Sequence, residues 1–200
     1  TVLPAGEYVN VVIRAEQRGL HYLQGELVAV LPPGRHAFWS PREAPVSIAV
    51  VDMRLKETVV SGQELITRDK VTLRLSLIAE HVVADPERVA RTVVDPNGAV
   101  YTAVQIAARD YVTGVTLDEL LEGRDAMNAF LSESVVPKAE AFGVRVERVG
   151  VKDIILPGEM KVLFNRVIEA EKEAAANVIL RREETAATRS LANTAKVMAD

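Results

Sequence analysis

The clearest periodicity in this chain runs from Val71 to Glu80, where Val71, Leu73, Leu75, Leu77 and Ala79 alternate with Thr72, Arg74, Ser76 and Glu80. A period of two sends alternate side chains to opposite faces, so the segment predicts a strand with one buried face, and only Ile78 breaks the rule. Shorter β-branched runs at Tyr8 to Arg14, Leu27 to Leu31 and Val46 to Asp52 are bounded by Gly25, Pro32-Pro33-Gly34 and Pro41 to Pro45. Such runs predict strands with tight connections. Arg14 to Leu27 has the form of a β-hairpin, with Gly19 and Gly25 available for turns.

Beyond Glu80 the period changes. Asp85-Pro86-Glu87 places a capping carboxylate before a proline at the first helical position, where the missing N–H costs nothing, and predicts a helix to about Val94. Asp95-Pro96-Asn97-Gly98 breaks that helix, and Val100, Val104, Ala107, Ala108, Tyr111 and Val112 recur at three and four to predict an amphipathic second one. Thr116 and Glu119 form a capping box that starts a short helix at Leu117. A fourth helix is expected from Asp125 to Phe142, with Met127, Phe130, Leu131, Val135 and Ala139 on one stripe, Gly143 as its stop and Pro137 as a potential kink. Val144 and Val146 share one strand face and Val149 and Val151 the other; this slip beside Gly150 is the mark of a β-bulge or of exchanged facing.

Past Pro157 the composition shifts to Glu, Lys, Arg and Ala, with no glycine after Gly158, which predicts one helix of about forty residues. Its apolar positions Met160, Phe164, Val167, Ala174 and Val178 suit a heptad seam that weakens beyond Arg181. The expected class is therefore α+β, a small mixed sheet with packed helices over residues 1–156, followed by a coiled-coil-forming helix over residues 157–200. The first residue is threonine and the last stretch is helix-like, so a piece of a longer protein is expected.

Charge and composition narrow the function. The formal net charge is −4 with both signs interspersed, which offers no cationic field for nucleic acid. There is no cysteine, hence no disulfide, thiolate nucleophile or thiolate metal site, which fits a reducing compartment. No apolar run approaches the roughly 20 residues a membrane-spanning helix needs. His21, His36 and His81 lie apart, without metal-ligand spacing, and are expected in strand ends and turns. No zinc-protease, nucleophile-elbow or phosphate-loop motif is present. Ser134 and Lys138 stand four apart, but Pro137 between them weakens a dyad, and Asp52 and Arg54, two apart in a strand, are read as a structural ion pair. No catalytic, cofactor or metal residue is assigned, and an enzyme built from dispersed carboxylates is the minority reading.

Several strings in order carry a resemblance: Leu31-Pro32-Pro33-Gly34-Arg35-His36-Ala37-Phe38, Val51-Asp52-Met53-Arg54, Thr67-Arg68-Asp69-Lys70-Val71, Thr116 to Leu121 with Arg124, and Val151 to Pro157. With the tail Glu169 to Ala174, the chain resembles the stomatin and slipin branch of the band 7 (stomatin, prohibitin, flotillin; SPFH) superfamily. The resemblance implies a non-enzymatic scaffold that forms homo-oligomers on the cytoplasmic face of a membrane, organises microdomains and regulates partner membrane proteins. It also implies a membrane-bound serine protease of the NfeD type as a partner, and Asp52, Arg54, Thr67, Asp69, Arg124 and Pro157 as structural motif residues. Thr1 to Tyr8 cannot serve as the hydrophobic hairpin most stomatins carry, so lipid contact would come from a segment absent from this chain. The alternative is a soluble adaptor that presents partners to a protease or another complex.

Overall fold

A computed structural model describes residues 6–199, with side chains to residue 189. The chain divides into two units, Thr1–Ile155 and Leu156–Asp200. The first opens with an antiparallel ribbon of β1 (Gly6–Ile13) and β4 (Gly34–Pro41), registered with Tyr8 opposite Trp39. Their rings meet edge to face at 5.1 Å. β2 (Gln17–Leu23) is the centre of a second antiparallel sheet, flanked by β3 (Glu26–Leu31) and β5 (Val46–Asp52). Its hairpin turns at Gln24 and Gly25, both with positive φ. Gly19, offered by the sequence as a turn residue, sits within β2 instead, where a Cβ would fall 2.3 Å from Ile13 Cδ1. Closeness of packing, not turn geometry, requires glycine there.

The third sheet carries the main core. β7 (Thr72–Val83) lies between β6 (Lys56–Ile66) and β8 (Val144–Ile155), antiparallel to both. Leu73, Leu75, Leu77 and Ala79 are fully buried, and the same face continues through His81 and Val83, three residues past the run seen in the sequence. Four helices follow β7: α1 (Pro86–Thr92), α2 (Pro96–Gly114), α3 (Leu117–Glu122) and α4 (Arg124–Ala141). The expected carboxylate and proline cap at Asp85 and the Thr116–Glu119 capping box both form, and Asp95, read from the sequence only as a break, caps α2. On α4 the buried stripe is Met127, Leu131, Val135 and Ala139. Phe130 is only half-buried and packs its ring at a tilt against Tyr111 of α2, with centroids 5.3 Å apart. The helix continues through Pro137 and stops at Gly143, whose φ of +89° favours glycine.

Two strands were not legible in the sequence. β4 mixes Arg35, His36 and Ser40 with its aromatics, and β6 is interrupted at Ser61 and Gly62 by a bulge that shifts its register against β7. There Gly62 has a φ of +57°, and its N–H donates to Ser76 Oγ at 3.2 Å, which accounts for a buried serine in the middle of β7. The phase slip in β8 is a bulge, with Glu147 unpaired between Val146 and Arg148. It brings Val144, Val146, Val149 and Val151 to the same buried face, and a second register shift beyond them leaves Lys152 unpaired. Each bulge moves the alternation by one residue.

The second unit is α5 (Gly158–Ala199), 42 residues long.

Candidate functional site

The motif residues other than Pro157 gather in three places on the first unit. Asp52 ends β5, and the chain turns so that Arg54 Nε donates to its two carboxylate oxygens at 3.0 and 3.1 Å. The pair therefore closes a turn and is not a cross-face contact within a strand. The hydrogen bonds from Arg54 hold the Asp52 carboxyl down at about 2.

The loop between β6 and β7 is clamped to the junction of α2 and α3. Thr67, 3% exposed, donates its hydroxyl to Asp69, and the Asp69 carboxylate accepts the Leu117 N–H at 3.2 Å, the first turn of α3. A carboxylate at a helix N-terminus satisfies an orphan donor and complements the dipole. The Thr67 hydroxyl and the Leu117 N–H lower the Asp69 pKa. Arg68 reaches Glu119 at 3.0 Å and the Gly114 carbonyl at 3.2 Å, while Lys70 takes a φ of +66° to close the loop. Glu119 is also held below its ordinary pKa, chiefly by the Thr116 N–H and then by Arg68.

At the far edge of the main sheet, Arg124 donates to the Val151 carbonyl at 2.7 Å and Asn128 Oδ1 accepts the Val151 N–H at 3.0 Å. Arg124 and Asn128 stand one helical turn apart on α4, so one helix face takes both backbone groups of a single edge-strand residue. Sequence reading named Arg124 and missed Asn128; the i,i+4 spacing from Arg124 was the available signal. Pro157 is exposed, and its carbonyl accepts the Lys161 N–H at the start of α5.

The seam residues all lie on α5. Met160 and Phe164 are half-buried, and Val167, Ala174 and Val178 are exposed. The histidines depart from expectation, since none stands in a turn. His21 lies within β2 and stacks on Phe38 at 4.2 Å, His36 lies in β4 with Nε2 2.8 Å from the Pro32 carbonyl, and His81 is buried in β7. The His81 Nε2 lies 2.9 Å from Thr58 Oγ1 while Nδ1 has no partner among the described residues. Burial, and then the charge of Lys56, push its pKa down.

Among the described residues no cluster of three metal-ligating side chains forms, and no hydrogen bond joins Ser134 to Lys138. A groove of about 440 Å³ opens between the second sheet and α1, lined by aliphatic side chains including Leu20, Val50 and Val89, with Asp52, Lys56 and Tyr22 as its ionisable groups. No helix among the described residues is long and apolar enough to cross a membrane.

Comparison with known proteins extends these observations. A stomatin homolog of Pyrococcus horikoshii is 28% identical over 189 residues, covering 94% of this chain and 70% of its own. An uncharacterized protein of Methanocaldococcus jannaschii is 30% identical over 162 residues, 81% of this chain and 80% of its own. Stomatin-1 of Caenorhabditis elegans is 28% identical over 148 residues, 74% of this chain and 45% of its own. The SPFH domain / Band 7 family matches residues 11–187, from β1 well into α5. That span includes the turn, the helix clamp and the edge-strand clamp together, and the chain belongs to the SPFH domain / Band 7 family.

Proposed function

We propose that this chain is the self-assembling core of a scaffold at a membrane surface, acting by assembly and partner binding and not by catalysis. The observation that carries the reading is α5. It holds Val167, Ile168, Val178 and Ile179 at 43–62% exposure along a 42-residue helix. A helix gains most of its stability from packing an apolar face, and another copy of the same helix supplies one. The turn and the two clamps are each closed by hydrogen bonds, as a building block requires. Membrane contact would come from a segment outside this chain, on the cytoplasmic side, and the assembled protein would organise microdomains and regulate partner membrane proteins. A membrane-bound serine protease of the NfeD type is the proposed partner.

Light scattering over a range of concentrations, on this chain and on a version ending at Leu156, tests the assembly. The full chain should grow in mass with concentration and the short one should not; equal masses would remove the basis of the proposal. Flotation of the uncut protein with lipid vesicles tests the membrane half, and co-purification with the protease tests the partner. A second reading, a soluble adaptor, is favoured by the 440 Å³ groove, which could seat an aliphatic segment of a client. A pull-down from membrane-free extract that yields one discrete partner would select it.

A further inference from the structure

The groove of about 440 Å³ between the second sheet and α1 serves none of the clamps described above. Its size falls within the roughly 300–1,000 Å³ of small-ligand sites. Leu20 and Val50 line it from the second sheet, Val83 from β7, and Val89, Val93 and Val94 from α1 and the two residues that follow it. Val50 is 44% exposed and Val94 wholly so, which leaves the aliphatic lining open to a ligand from solvent.

The charge at this groove is also uncompensated. Asp52 is held by the hydrogen bonds from Arg54, whereas Lys56 joins no ion pair among the described residues. The Lys56 charge reaches both of its neighbours. It adds to the hydrogen bonds of Arg54 in lowering the Asp52 pKa, and to burial in lowering that of His81. With Arg54 matched to Asp52, one ammonium is left in excess at the wall of an aliphatic groove, and Tyr22 adds a hydroxyl.

We propose that the groove binds a free long-chain carboxylic acid, its alkyl chain against Leu20, Val50, Val89 and Val94 and its carboxylate on Lys56. An alkyl chain asks nothing of the lining but apolar area, and a single carboxylate takes a charge-assisted hydrogen bond from an ammonium. An extended peptide brings an N–H and a C=O with every residue, and each needs a partner when buried. The ionisable side chains here are Asp52, Lys56 and Tyr22, enough for one headgroup and too few for a peptide. A cationic amphiphile would meet Lys56 with like charge. The site lies wholly within the first unit, so the inference does not rest on self-assembly through α5.

Calorimetric titration of the full chain with decanoate, decanol and decyltrimethylammonium, each below its micelle concentration, tests the headgroup. Decanoate should bind about tenfold tighter than decanol, and the ammonium compound more weakly than either. Shortening the acid to octanoate and hexanoate should weaken binding about fourfold per methylene removed. Lys56→Gln should abolish the preference for acid over alcohol. Val94→Glu, at a wholly exposed position where the fold loses no packing, should weaken decanoate binding by about tenfold as well, through like-charge repulsion. Methyl NMR should place the shifts at Val50, Val89 and Val94. No decanoate binding, equal binding of the three headgroups, or an unchanged preference in Lys56→Gln would overturn the proposal. Shifts confined to Val167 and Val178 would overturn it too, by placing the amphiphile on α5. Uptake of an aliphatic peptide in preference to decanoate, unaffected by Lys56→Gln, would assign the groove to a client segment instead.

Discussion

Asn128 on α4 accepts the backbone N–H of Val151 on β8 at 3.0 Å, beside the point where Lys152 leaves the ladder. Gly150 allows the approach, since a Cβ there would fall 2.9 Å from Asn128 Oδ1. With Arg124 on the Val151 carbonyl, this closes part of an edge that would otherwise offer itself to another strand. Asn128→Ala leaves a part-buried donor unpaired and should cost about 1–2 kcal/mol in urea unfolding. Hydrogen exchange should speed up at Val151 more than at Leu75 in the middle of β7. Equal acceleration at both would show that the contact does not act locally.

The Asp52 carboxyl is held at about 2 by the hydrogen bonds from Arg54. A carboxyl depressed in the fold contributes stability that is present above its unfolded value of about 3.9 and is lost as pH falls through the folded one. Arg54→Ala should raise the Asp52 pKa toward that ordinary value in an NMR titration, with melting at pH 7 changed little because the pair is exposed. An unmoved titration would show that the turn, and not the guanidinium, sets the shift.

Asp69 works differently, because its carboxylate joins two elements. Asp69→Ala removes the acceptor for Leu117 N–H and for the Thr67 hydroxyl, itself on a residue 3% exposed. Melting temperature should fall, and amides in the first turn of α3 should lose protection ahead of those in α4. Asp69→Asn keeps an acceptor oxygen without the charge and should fall between the two. The acid limb of stability should move as well, since the Asp69 and Glu119 pKa values are both lowered in the fold.

His81 gives a second, milder pH dependence. Its pKa is lowered by burial, so the folded chain holds it neutral, and stability is full above the unfolded value of about 6.5 and declines as pH falls below it. His81→Gln can keep the contact with Thr58 and cannot charge. Chemical denaturation at pH 8, 6.5 and 5 should show a smaller decline for the variant than for the parent. Identical slopes would mean that the carboxylates alone carry the acid sensitivity.

Val167→Asp places a charge on the exposed aliphatic face of α5. Oligomer mass should fall while the melting of the first unit stays unchanged, because α5 is a separate unit from the core that Leu73, Leu75 and Leu77 build. Light scattering paired with circular dichroism checks both halves. A lower melting temperature with unchanged mass would place Val167 in the fold of the monomer.

The helices were legible residue by residue because their signals are local: Asp85-Pro86, Asp95-Pro96, the Thr116–Glu119 box and Gly143 each satisfy or end a helix with groups a few residues away. The family's motif strings were legible for the same reason. β7 was legible because it lies at the centre of its sheet, and burial enforces its alternation. β4 and β6 were not, since a strand with polar exposed positions or a bulge becomes a strand only through its partner: β4 pairs with β1, far back along the chain, and the bulge in β6 hides its alternation although β7 follows it directly. The same limit applies to the clamps. Arg124 and Asp69 stand out as residues, but their mates Val151 and Leu117 lie 27 and 48 positions away, and no local pattern encodes a hydrogen bond closed by packing. His81 is the sharpest case, for a lone histidine in an alternating run is buried and neutral only because α-helices and neighbouring strands exclude water from the face it shares with Leu77 and Ala79.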